Sequence, residues 1–224
     1  MIFRSVFNAS DLLRGCWLAT IAHAIFLVQH VELANEQSWD GTNYNIQDTQ
    51  GSLGTVSFAK EGVVAAFFDL HSPRNPLTSK IAYDLNARLV EMPPDLREVA
   101  EREALQYLIQ DFKGADVPVI TAIFWEEGGT LVSTEPWSDV LSNGAHLIET
   151  QLQPEAEAIN TFRSHYGFPQ TQIELLQSLF ARKVAAGDAP FALSAEEKAA
   201  LSKAGSEGIE ESRSLLAGIA IEVP

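Results

Sequence analysis

Between residues 12 and 33 the apolar positions leave no polar stripe. Leu12, Leu13, Cys16, Trp17, Ile21, Ile25, Phe26, Leu27, Val28 and Val31 cover nearly the whole circumference of a helix that Asn8 or Ser10 can cap. A helix apolar all round must be covered all round. From Trp39 the period changes to two: Tyr44 and Ile46 alternate with polar residues, and residues 55–58 and 63–70 follow across glycine-bearing turns. These segments predict a three-stranded antiparallel meander whose continuous apolar member, residues 63–70, is a central strand buried on both faces.

Beyond a proline-flanked loop at residues 71–76, Leu77, Ile81, Leu85 and Leu89 recur at helical spacing until Met92-Pro93-Pro94. A further helix is expected from Asp95 through Phe112, stopped by Gly114. Residues 117–125 and 130–133 then predict a hairpin around Gly128-Gly129, followed by a short helix to Leu141. The remainder reads as helices over residues 154–166, 170–186 and from Ser194, where Glu197 completes a capping box. A weaker helix is expected over residues 209–217, before an apolar tail at residues 219–223.

The architecture expected is α+β. An antiparallel sheet of about five strands, in two meander or hairpin units, is packed by the buried N-terminal helix, with a helical C-terminal portion. In domain terms residues 1–153 form the core and residues 154–224 a helical appendage packed on it, since no Pro/Gly/Ser-rich linker separates them.

Residues 15–31 form an uncharged run near the lower length limit of a membrane span, about 17 residues. His23, Gln29 and His30 interrupt it, Asp11 and Arg14 precede it, and Glu32 and Glu36 follow without a basic cluster, so a buried helix is expected rather than an anchor. Among 224 residues the net charge of −15 opposes binding to a phosphate backbone and would draw basic partners. No nucleic acid and no membrane partner are expected. The lone Cys16 excludes an internal disulfide and a cysteine cage for zinc, and fits a reducing, cytoplasmic setting.

Candidate chemistry is sparse. Cys16, His23 and His30 share a helical face, but seven residues rise roughly 10.5 Å, too far for ligands about 2.0 to 2.3 Å from one ion. No metal or cofactor is expected, and no phosphate-loop, dinucleotide or nucleophile-elbow motif is present. Asp69 and His71, two apart at a strand end, are catalytic candidates, because a carboxylate can orient an imidazole base. Equally, they can cap backbone groups where the strand turns. Glu126 is a third candidate if strand register brings it to Asp69. Trp39, Asp40 and Tyr44 place aromatics beside a carboxylate, a composition suited to partner contacts. The leading expectation is a non-catalytic binding or regulatory protein, of the toxin-neutralising immunity kind, that engages a basic protein. The alternative is a small hydrolase or metal-assisted enzyme around Asp69, His71 and Glu126.

Overall fold

The computed structural model describes residues 1–79 and 82–224. In chain order the first half holds β1 (Phe3–Asn8), α1 (Ala9–Leu27), β2 (Gln37–Asp40), β3 (Asn43–Gln47), β4 (Ser52–Ala59) and β5 (Gly62–Asp69). Next come α2 (Leu85–Leu89), α3 (Pro94–Arg102), β6 (Ile109–Phe112), β7 (Ala115–Pro118), β8 (Ala122–Glu127), β9 (Thr130–Ser133) and α4 (Trp137–Ser142). The chain ends with α5 (Glu155–Tyr166), α6 (Gln170–Ala186), β10 (Phe191–Ala192), α7 (Ala195–Ala204), α8 (Ile209–Ala217) and β11 (Ile221–Glu222). It divides into two compact units, Met1–Leu12 with Thr42–Glu149 and Leu13–Gly41 with Thr150–Pro224.

The fold is α+β, and its main sheet has seven strands rather than about five, in the order β1-β9-β8-β5-β4-β3-β2. The pairings of β3-β4-β5, β5-β8, β8-β9 and β9-β1 are all antiparallel. Strand β5 is central, and its continuous apolar run follows from cover on both faces. Val64, Ala66 and Phe68 pack with Leu96 and Val99 of α3 and with Leu105 and Leu108 of a 3-10 turn. On the opposite face Phe67 and Phe124 lie with ring centroids 5.9 Å apart, and Phe124 lies 5.2 Å from Trp137 of α4. Strand β1 escapes a pattern reading because it is short and turns Val6 outward, 93% exposed.

Three predicted helices are shorter than their apolar patterns. Asn8 Oδ1 accepts the Asp11 amide at 2.8 Å, so α1 starts at Ala9, and it stops at Leu27, before a 3-10 turn at Val31–Glu36. Of the expected helix through Leu77 and Leu89 only α2 forms, capped by Asp84, whose Oδ1 accepts the amides of Asn86 and Ala87; Ile81 lies outside the described residues. The helix expected from Asp95 to Phe112 is α3, then a 3-10 turn at Ala104–Leu108, then the β6–β7 hairpin. Gly114 is no helix stop there. Lys113 (φ 58°) and Gly114 (φ 83°) form a tight turn with two left-handed residues, which matches the right-handed twist of hairpin strands. The strand expected over residues 117–125 is interrupted after Pro118, which lacks an N–H, and resumes at Ala122. The C-terminal apolar tail is also a strand, β11, paired in parallel with β10.

In the second unit α1 carries the core. Leu18, Ile21, Ala22, Ile25 and Val28 cluster with Ile159 and Phe162 of α5, Leu176 and Leu179 of α6, and Leu216 of α8. The contact reaches backbone. A Cβ on Gly15 would lie 1.8 Å from the Gln151 carbonyl oxygen, and one on Gly208 the same distance from that of Leu27. The Gly208 amide donates to Val28 O at 3.2 Å, so a freed carbonyl beyond the helix end is satisfied by another segment. Inside this core the His23 ring contacts Leu33 O at 3.1 Å and Tyr166 Oη at 3.2 Å. Lys183 in the last turn of α6 donates to the Gly187 carbonyl at 2.7 Å and lies 4.4 Å from the Trp17 ring centroid; burial lowers its pKa, which neighbouring Asp188 raises. Ser194 and Glu197 form the predicted capping box of α7. No helix among the described residues is long and apolar enough to cross a membrane.

Two predictions follow from this packing. Gly→Ala at an exposed helical position stabilises by about 1 kcal/mol. Gly15→Ala should instead destabilise by about 2 kcal/mol or more, because a Cβ meets backbone that must move; a urea midpoint at or above wild type would contradict the close approach. Burial, opposed by the bond to Leu33 O and reinforced by nearby His165, takes the pKa of His23 from 6.5 down to about 4. The unfolded chain therefore binds a proton that the folded chain refuses. Stability is full above pH 6.5 and falls as pH drops from 6.5 towards about 4, a loss on the order of 3 kcal/mol. Urea melts of His23→Gln should show a flatter profile between about pH 7.5 and pH 5 than wild type.

Candidate functional site

Strand β5 ends at Asp69, and the loop that follows is stapled by side chains. The Asp69 carboxylate accepts the His71 amide at 2.8 Å and the Ser52 hydroxyl at 3.4 Å, while the Asp69 amide donates to Thr121 Oγ1 at 2.9 Å. Thr121 donates in turn to Asn143 O at 2.6 Å, and the buried Ser72 hydroxyl donates to Asn143 Oδ1 at 2.5 Å. Asn75 secures the far side, its Nδ2 donating to Leu70 O at 2.8 Å. Asp69 thus performs the capping role available to a strand-end carboxylate, and His71 is exposed.

This staple delivers Arg74 to a cavity of about 280 Å³ between the loop, α2 and the end of β9. Arg74 Nη1 donates to Glu135 Oε2 at 2.5 Å and Nη2 to Asp139 Oδ2 at 3.3 Å. Arg88 of α2 enters the same cavity, but its Nη1 lies 3.4 Å from Thr121 O and 3.9 Å from Glu135 Oε1. The Glu135 carboxylate is therefore held by Arg74. Tyr83 fixes the wall, its hydroxyl donating to Pro118 O at 2.9 Å and accepting the Ile120 amide at 3.0 Å; burial raises its pKa. The remaining lining mixes apolar Pro76, Ala87 and Ile123 with the Thr134 hydroxyl.

The other candidates do not gather around this cavity or around each other. Val64 pairs with Trp125, and Glu126 Oε2 accepts the Val63 amide at 3.2 Å, so Glu126 sits at the start of β5 and Asp69 at its end. Six residues of strand separate them by roughly 20 Å. Tyr44 of β3 is wholly buried. Trp39 is half-buried, donates from Nε1 to Thr20 Oγ1 at 2.8 Å, and packs closely on Gly218; Asp40 is exposed. Cys16 is buried, which raises its thiol pKa, and His30 stacks on Phe26 at 4.1 Å and pairs with Glu32. Among the described residues no three His, Cys, Asp or Glu side chains converge as metal ligands. Arg74, Arg88 and Glu135 carry no local motif; their meeting is a product of the tertiary fold.

The staple makes a prediction that separates backbone capping from catalysis. Asp69→Ala should destabilise by about 1 to 3 kcal/mol by stranding the His71 amide and the Ser52 hydroxyl, whereas His71→Ala should stay within about 0.5 kcal/mol of wild type. Urea denaturation measures both, and the reverse order would contradict this assignment. In comparisons with known proteins, no family model, curated protein sequence or solved structure matches the chain.

Proposed function

We propose that this chain is a non-catalytic binding protein that engages a basic protein partner through exposed carboxylates. The observation carrying the reading is on the β6–β7 hairpin, where Asp111 and Asp116 are exposed and directly opposite each other in register. Like charges facing across a strand pair destabilise it. Among the described residues neither has a cationic partner; Asp111 accepts only the Gly114 amide, at 2.8 Å. A lysine or arginine from another protein would relieve that repulsion. The wider charge distribution supports the same reading, since of 30 acidic side chains only Asp69 and Glu197 are buried. Electrostatic steering of this kind accelerates encounter.

The aromatic anchors expected at Trp39 and Tyr44 do not contribute to this reading, because Tyr44 is interior and Trp39 is engaged by its own chain. The hydrolase alternative has less support, given the distance along β5 between Asp69 and Glu126.

Immobilised protein should capture a basic partner from a lysate of the source cells at low ionic strength. Association should slow as the Debye length contracts from about 10 Å at 0.1 M salt to about 3 Å at 1 M. The Asp111→Asn, Asp116→Asn double variant should melt at or above the wild-type temperature yet associate several-fold more slowly. Unchanged association kinetics in that variant would remove the hairpin from the interface.

A further inference from the structure

We propose that the cavity between α2 and the loop at residues 70–76 is a binding site for a small monocarboxylate, with Arg88 as the receptor for its charged end. This site is independent of the acidic hairpin. A guanidinium offers five N–H donors in a planar fork. Arg88 uses its fork poorly: its side chain is 22% exposed, and among the described residues its hydrogen bond to Thr121 O (3.4 Å) and its ion pair with Glu135 Oε1 (3.9 Å) are both long. The donors it leaves unused open toward the cavity and solvent, where a carboxylate received in bidentate fashion makes two charge-assisted bonds. Arg74, in contrast, is already neutralised by Glu135 and Asp139, so the cavity holds one satisfied guanidinium and one with donors to spare.

The rest of the lining narrows the class of ligand. Thr134 brings a hydroxyl that has no partner among the described residues, suited to a second bond to a ligand oxygen. Pro76, Ala87 and Ile123 form an apolar wall for a short hydrocarbon body. Glu135 and Asp84 line the same cavity, and their charges repel a phosphate dianion more than a carboxylate monoanion. A cationic ligand would be repelled by Arg74 and Arg88 on the same lining, where Glu135 is already engaged by Arg74.

The test is an NMR titration of the intact chain with sodium butyrate, read at the Ile123 and Ala87 methyl groups. The uncharged isostere butyramide and inorganic phosphate serve as comparison probes. Butyrate should give saturable shifts with a millimolar dissociation constant, and both comparison probes should bind at least tenfold more weakly. Arg88→Gln should weaken butyrate binding at least tenfold, while Arg88→Lys, keeping the charge but not the fork, should recover part of it. Glu135→Gln should strengthen binding by removing the competing carboxylate, a gain that a purely structural role for Arg88 does not produce. Wild-type-like methyl spectra of the unliganded variants establish that each is folded. Absence of saturable butyrate shifts, equal binding of butyramide, or an Arg88→Gln affinity equal to wild type would overturn the carboxylate receptor. Phosphate binding as tight as butyrate would overturn the monocarboxylate assignment.

Discussion

Close approach of backbone to backbone along α1 is the constraint on which the second unit depends. Gly15 and Gly208 leave no room for a Cβ, so α1 meets residues 151 and 208 at main-chain distance. Side chains on its remaining surface interdigitate with α5, α6 and α8. From Gly15 onward a helix enclosed in this way carries no charged side chain, and its few polar groups must find partners inside. Thr20 donates to Cys16 O and accepts from Trp39, and His23 sits between Leu33 O and Tyr166 with its imidazole held neutral by burial.

The charged side chains that do enter the interior serve the backbone. Asp69 accepts the His71 amide, Glu197 accepts the Ser194 amide, and Lys183 donates to the Gly187 carbonyl. Each of the three stands at the end of a strand or helix, where orphan N–H or C=O groups need a partner. Buried charge in this protein is thus structural. Both binding roles proposed above rest instead on groups whose hydrogen bonding the fold leaves unfinished, the Arg88 fork in its cavity and the facing aspartates of the β6–β7 hairpin.

The periodicity of the sequence was informative where one signal dominated. All-round apolarity marked α1, alternation marked β3 and β4, and Gly167 and Gly187 end α5 and α6 where the pattern stops. It misled between residues 104 and 118. Leu105, Leu108, Ile109 and Phe112 fit a helical stripe, but tertiary packing takes Leu105 and Leu108 into the core from a 3-10 turn and leaves Ile109 42% exposed on a hairpin. At Tyr44, which the fold buries, local composition is ambiguous, since an aromatic between amides reads the same whether it faces a partner or the interior. The Arg74, Arg88 and Glu135 cluster was beyond reach, because nothing local relates a loop, a helix and a strand end until the sheet is assembled.

Native-state hydrogen exchange tests the central role of α1 most directly. If its enclosure organises the second unit, amides of α1 at residues 19–25 and of α6 at residues 175–180 should exchange with one common opening free energy and one common dependence on denaturant, because neither helix can open while the other stays packed. Exchange of the α1 amides through a smaller opening, with α6 still protected, would contradict the account.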